Sequence, residues 1–403
     1  MVAFVRKFLA DVRSLPRSVH VLVVGQFINR FGSFVLPFLA LFLSDRGIGL
    51  GQVALVLGAM SAGGLLAPVA SGYLADAIGR RNTIVLSLAT SAVTVVLLYF
   101  CRNVPQFMIV ALGHGFCTML YGPAANALLT DLVTPAQRVI AFALLRLAIN
   151  LGFAAGPSIA GLLFSRAPIF IFIGDSLTTL IFAILAWNWL PHGLRTVAGR
   201  ISSTRVFWSS WRAAWVDATH NRPFWQFLIA TLLMSVAFVQ VFNVLVIAAT
   251  HRGLTPAEYG VVMGLNGVLI VLFEVALNQW VSRFDLRRVL VVGFVLVGLG
   301  CASFGLMRTQ AGFLGAMTLL TAGEMLSLPI GTTYASMLAP EAYRGRYFGL
   351  RGMVWALAGV SGSSGVWFYG RLGDAWWYVA GGIGLLGGVV MLAQVMTDRK
   401  PAG

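Results

Sequence analysis

The sequence predicts an all-α membrane protein with twelve transmembrane helices in two pseudo-symmetric six-helix bundles. Three observations carry that expectation. Apolar runs of about 20 residues, the length at which a helix crosses the hydrocarbon of a bilayer, recur along the chain. The 403 residues are 59% hydrophobic and only 10% charged, too few charges to wet the surface of a soluble protein this long. The second half also repeats features of the first at a nearly constant shift. The short alternating segments of an outer-membrane barrel are not seen.

The elements follow in order. Within residues 1–18, Phe4, Val5, Phe8, Leu9, Val12 and Leu15 form a helical stripe among Arg6, Lys7, Arg13 and Arg17. That pattern suits a cytoplasmic helix lying in the membrane interface, and no signal-peptide cleavage pattern is present. Turn residues and charges then punctuate spans near 19–43, 52–75, 82–101, 105–130, 139–164 and 168–190, an N-terminal bundle over 19–190. Residues 191–222 form a basic linker with Trp208, Trp211 and Trp215 at helical spacing, a second interfacial helix on the cytoplasmic side. A second set of spans near 223–249, 257–281, 288–307, 311–338, 346–369 and 375–397 makes the C-terminal bundle over 223–397. Residues 398–403 are a cytoplasmic tail.

Charge sets the orientation. With the N-terminus inside, the inner segments hold 19 of the 28 lysines and arginines and the outer loops six. Arg30, Arg146 and Arg351 fall within spans. This excess predicts an inner-membrane protein with both termini cytoplasmic. The net charge of +15 is spread between apolar spans rather than gathered on one soluble face, which argues against a nucleic-acid partner. Cys101, Cys117 and Cys301 show neither paired nor metal-ligand spacing and read as small apolar fillers. No metal site or cofactor is expected.

The internal repeat has a register. Arg46-Gly47 matches Arg252-Gly253, Gly58 matches Gly264, Pro123 matches Pro329, Arg138 matches Arg344 and Phe142 matches Phe348, all at a shift of 206. Arg80-Arg81 matches Arg287-Arg288 at 207. Six spans duplicated in parallel predict two bundles with a cavity between them, able to rock.

Between spans two and three lies Gly72-Tyr-Leu-Ala-Asp76-Ala-Ile-Gly79-Arg80-Arg81. Its glycines, Leu74, Asp76 and paired arginines resemble the loop signature of the major facilitator superfamily. Span five carries Gly152, Gly156, Pro157 and Gly161, a pattern similar to that superfamily's antiporter motif. Asn29 and Gly32, Asp131 with Pro135 and Arg138, and Pro340 with Arg344 and Arg346 extend the likeness to twelve-helix drug:proton antiporters. The resemblance implies a monomeric secondary transporter working by alternating access, with a small-molecule substrate and protons as partners. It also implies a latch made by Gly72, Asp76, Gly79, Arg80, Arg81, Asp131 and Arg138. In that latch Asp76 would sit at the N-terminus of span eleven, where the helix dipole favours an anion. Arg80 would bridge Asp76 to Asp131. Two departures stand out. Span four has His114 and no arginine where the drug exporters carry one, and Arg283 replaces the loop aspartate in the second half.

Charges inside the membrane are costly, about 2.5–3.5 kcal/mol each on insertion scales, and so invite functional readings. Glu324, central in span ten, and Asp175, in the outer half of span six, are the leading proton-coupling candidates. Glu274 and His114 follow. By analogy with the fold, spans one, four, seven and ten line the cavity and span six is peripheral, which favours Glu324. Arg30 is expected either to bind an anionic group or to neutralise a carboxylate. Asn29, Phe34, Tyr121, Gln240, Asn243, Asn266, Met325 and Tyr334 complete the substrate-cavity candidates as an adaptable, mostly apolar surface. The leading function is proton-coupled export of small amphipathic or drug-like molecules. The alternatives are a transporter or flippase for a lipid-like or anionic amphiphile, and a nutrient symporter. No P-loop, H-E-x-x-H motif or convincing nucleophile elbow is present, so neither a primary pump nor an enzyme is expected.

Overall fold

The structure is a computed structural model that describes residues 12–134, 137–192, 215–281, 283–340 and 344–397. Expectations for residues 1–11, for most of the linker and for the tail lie outside the described residues. The described chain is helical throughout and divides into two compact units, residues 1–48 with 55–200 and residues 49–54 with 201–403.

In the first unit, the first span is two helices, α1 (Arg17–Phe31) and α2 (Val35–Asp45). Pro37 lies at the interruption, and it has no N–H for the carbonyl of Ser33 and crowds that carbonyl with its ring, which favours a break, although Pro68, Pro157 and Pro329 are carried inside continuous helices. The next spans are α3 (Leu50–Ala77) and α4 (Arg80–Phe100), followed by α5 (Val104–Met119) and α6 (Tyr121–Leu132). At the break between α5 and α6, Pro123 likewise follows four residues after Met119, whereas its repeat counterpart Pro329 lies inside the continuous helix Gln310–Leu338. The Ser71 hydroxyl donates to the buried Leu120 carbonyl at 2.6 Å. Then come α7 (Arg138–Arg166) and α8 (Ile169–Trp189). α1 packs on α7 and α8, and α4 packs on α5, α6 and α8. Leu22, Leu128, Leu129, Leu145 and Phe182 are among the buried residues of that core.

The second unit contains α9 (Arg222–Asn243), α10 (Leu245–His251), α11 (Pro256–Val281), α12 (Leu286–Ser303), α13 (Gln310–Leu338), α14 (Arg344–Leu372) and α15 (Ala375–Thr397). α12 packs on α13 and α15, α9 on α14 and α15, and α11 on α13. Side chains close the helix starts. Asn221 accepts from Phe224 N, Thr309 from Gly312 N, and Thr255 and Glu258 form a reciprocal capping box.

Among the described residues eleven spans are long and apolar enough to cross a membrane. The twelfth position is filled by α14, a helix of 29 residues whose glycines, serines and arginines dilute its apolar character. The protein is a multi-pass membrane protein.

The duplication is visible in atoms. In the first unit Arg46 Nη1 donates to Cys101 O at 2.9 Å, and its guanidinium lies over Phe42 at 4.5 Å. In the second, Arg252 Nη1 donates to Met307 O at 3.1 Å, and its guanidinium lies over Phe313 at 5.7 Å. Donor and acceptor are both displaced by 206 residues. Arg252 also pairs with Asp374, which binds Arg308 at 2.9 Å as well.

Candidate functional site: two intramembrane polar clusters

Each unit holds a polar cluster at the level of its helix interruptions or charged positions. In the first, the break in the first span presents the N-terminus of α2 to α8. Asp175 Oδ2 accepts from Val35 N at 3.0 Å, so the carboxylate stands where the half-helix dipole favours an anion. One turn further along α8, Thr179 Oγ1 accepts from Asn29 Nδ2 at 3.0 Å. Arg30 ends α1 within electrostatic reach of Tyr121 and Asp175. Tyr121 opens α6 and meets Phe182 edge-on at 5.6 Å. Phe34 is buried, seated over Gly174 and edge-on to Phe31 at 5.8 Å. Asp175 therefore bonds from α8 to the start of α2. Asn29 and Phe34 are committed to packing between α1 or α2 and α8.

In the second unit, Asn266 on α11 donates through Nδ2 to Glu324 Oε2 at 2.6 Å and to Thr321 Oγ1 at 3.0 Å, both on α13. Thr321 and Glu324 stand three residues apart on a helix, which puts them on one face. Glu274 is buried two turns along α11 from Asn266. Gln240 is fully buried, with Nε2 bonded to Val236 O at 2.8 Å and the other end of the amide against Gly365 of α14. Asn243 faces Gly362 in the same way. Tyr334 OH accepts from Gln394 Nε2 at 2.9 Å and its ring meets Phe227 at 5.3 Å. Met325 is buried in the same helix. His114 joins neither cluster through a hydrogen bond. Its Nδ1 lies 3.0 Å from Thr94 Oγ1, tying α5 to α4. Among the described residues no three His, Cys, Asp or Glu side chains gather into a metal site.

The family model described as the Major Facilitator Superfamily matches residues 22–363 and again 240–403. The chain belongs to the major facilitator superfamily. It is 28% identical over 347 residues to YttB, an uncharacterized MFS-type transporter of Bacillus subtilis, covering 83% of this chain and 84% of the relative. It is 25% identical over 424 residues to a Na(+), Li(+), K(+)/H(+) antiporter of Planococcus maritimus, covering 94% and 96%. A solved structure of a mutant of the nucleoside transporter NupG superposes with a TM-score of 0.80 at 14% identity, over 94% of this chain and all of that one. Family membership makes the protein a secondary transporter of small molecules rather than an enzyme.

The superfamily loop has a clear local logic. Gly79 adopts φ 93°, a backbone conformation that side chains with a Cβ rarely enter, and so turns the chain between α3 and α4. Arg80 pairs with Asp131 and donates to Ala127 O at 2.7 Å. Arg81 reaches His192 Nε2 at 2.6 Å and lies over Trp187 at 4.9 Å. Arg138 is exposed at the start of α7. The surroundings of Gly72 and the side chains of Asp76, Arg344 and Arg346 lie outside what the structure describes, and with them the expected anchoring of Asp76. In the second-half loop Asp285 caps α12 at Arg287 N (3.0 Å). The Arg287 side chain holds the Asp285 carboxyl below the usual carboxylate range. A short-range Asp285–Arg287 pair stands here where the first half has its glycine turn.

The antiporter-motif glycines face α1. A Cβ on Gly152 would lie 2.7 Å from Phe31 N, and one on Gly156 would lie 2.5 Å from Phe31 O. Pro157 and Gly161 are buried on the same helix. Sequence reasoning missed Gln26, Thr179, Thr321 and Gln394, neutral side chains whose only signal was polarity within an apolar run.

The Arg80–Asp131 pair gives a stability prediction. Its side chains are 17% and 15% exposed, so removing Arg80 strands a mostly buried carboxylate. Arg80→Ala should destabilise the protein by about 2–3 kcal/mol, read as a lower thermal midpoint in detergent. The Arg80→Ala, Asp131→Ala double variant should recover part of that loss. Additive losses in the double-mutant cycle would show that the pair is not coupled.

Proposed function

We propose that this superfamily member is a proton-coupled antiporter that exports small amphipathic or drug-like molecules by alternating access. It would act as a monomer in the inner membrane with both termini cytoplasmic. The observation that carries this reading is Glu324, an ionisable carboxylate within a span, bonded at 2.6 Å to an amide on another helix. A proton added to Glu324 changes that bond, so proton occupancy is felt by the contact between α11 and α13. Asp175 at the break of the first span is the second coupling candidate. His114, bonded to Thr94, and Glu274 rank below them. The antiporter-type motif in α7 and the likeness to a cation/proton antiporter support exchange rather than symport.

The test is substrate-driven proton flux in proteoliposomes, run with lipophilic dyes and with Na⁺ and K⁺. Antiport requires an imposed pH gradient to accelerate movement of at least one substrate, with protons moving the opposite way. Indifference of every substrate to the gradient would overturn the reading. A second reading, transport of an anionic or lipid-like amphiphile, is favoured by one observation, the arginine at the end of α1 within reach of Tyr121.

A further inference from the structure

Three buried hydrogen-bonding atoms in the first unit have no partner among the described residues: Gln26 Oε1, Arg30 Nε and Tyr121 Oη. Folded proteins leave few such atoms, because an unpaired buried donor or acceptor loses its hydration and regains nothing. Here they are neighbours. Gln26 and Arg30 are four residues apart on α1, on one face of the helix. Arg30 and Tyr121 are electrostatic partners. Packing brings Tyr121 to the same turns, since Phe182 lies directly on Gly25 and meets the Tyr121 ring at 5.6 Å. Gln26 is 2% exposed, so its amide is held in the interior.

Arg30 forms no ion pair among the described residues, and its acidic neighbour Asp175 has Oδ2 committed to Val35 N. Two donors, one of them cationic, and one amide oxygen therefore lie unpaired on neighbouring turns of the first unit. Their complement is an anionic oxygen group that also presents an O–H or N–H. A hydrogen phosphate monoester and an α-hydroxy or α-amino carboxylate both have that form.

We propose that Gln26, Arg30 and Tyr121 form a binding site for the anionic head of a transported molecule, a phosphate or carboxylate that carries its own hydrogen-bond donor. Arg30 Nε and the Tyr121 hydroxyl donate to the anionic oxygens, and Gln26 Oε1 accepts from the ligand. Charge-assisted donation makes Arg30 the largest contributor. The proposal rests on the transporter reading above and narrows its substrate class to anions.

The test measures equilibrium binding to the purified full-length protein in a nonionic detergent, with no gradient present. The probes are phenyl phosphate, mandelate and benzylamine, which share an aromatic ring and differ in head group. Phenyl phosphate or mandelate should bind and benzylamine should not, and the tighter of the two anions identifies the head group. Arg30→Gln should weaken that anion by about tenfold or more, and Tyr121→Phe and Gln26→Leu by roughly three- to tenfold. Without ligand, Tyr121→Phe should leave the thermal midpoint unchanged or higher, since it deletes an unpaired buried hydroxyl and keeps the ring.

The site is overturned if neither anion binds the wild type, if benzylamine binds as well as the anions, or if anion affinity survives Arg30→Gln. A Tyr121→Phe variant that loses stability and keeps full anion affinity also overturns it. The two proposals fail separately. Anion binding without proton-driven flux would sink the antiport reading alone, and proton-driven flux without anion binding would sink the site alone.

Discussion

Gly156→Leu is expected to abolish transport and to lower stability by about 3 kcal/mol or more. The reason is the approach of α7 to α1. An added Cβ would lie 2.5 Å from the Phe31 carbonyl oxygen, a backbone atom at the end of α1 that cannot rotate away. Even Gly156→Ala should destabilise, although alanine is the better helix former by roughly 1 kcal/mol. Gly113 on α5 supplies the opposite sign. A Cβ there meets nothing within 4 Å, so Gly113→Ala should be neutral or stabilising by up to about 1 kcal/mol. Thermal midpoints in detergent, paired with uptake into proteoliposomes, read both. A Gly156→Ala protein as stable as the Gly113→Ala protein would mean that α7 and α1 can separate freely at this point. The motif would then lose its physical basis, because its glycines matter only while they let one helix touch the broken end of another.

That contact also shows what the sequence made legible. Boundaries near 52–75, 139–164 and 168–190 became α3, α7 and α8 because long apolar runs and bounding turns are local properties. The 206-residue register was readable for the same reason, and it resolved into two equivalent arginine clasps, Arg46 on Cys101 O and Arg252 on Met307 O. The interruptions of the first and fourth spans were passed over, because Pro37 and Pro123 look no different in the sequence from Pro68, Pro157 and Pro329, which lie inside continuous helices. The candidate site was legible only in its charges. Glu324, Asp175 and Arg30 stand out in a membrane span by their cost. Asn266 was noticed, but its role as donor to Glu324 depends on which face of α11 meets α13. Thr179, Thr321 and Gln26 carry no charge, and their partners lie on other helices. The break in the first span gives Asp175 a helix N-terminus to bind, which its place in the sixth span alone does not reveal.

Glu324→Gln is expected to separate proton coupling from folding. Glutamine keeps an oxygen where Oε2 now accepts from Asn266 at 2.6 Å, so the contact between α11 and α13 persists. What it loses is the ability to exchange a proton. Stability should therefore change by less than about 1 kcal/mol, since one hydrogen bond is retained and an intramembrane charge is removed. Acceleration of export by a pH gradient should fall by about tenfold or more, while exchange of substrate for substrate at equal pH continues. Glu324→Asp makes the complementary case. It can still ionise, but its carboxylate is one methylene short of Asn266, so coupling should survive at a reduced rate. A structural charge would produce the reverse pattern, with Glu324→Gln destabilised and its remaining transport still driven by the gradient. Full coupling in the glutamine variant would remove Glu324 from the proton path and leave Asp175, an intramembrane carboxylate bonded to the start of α2, as the residue to test by Asp175→Asn.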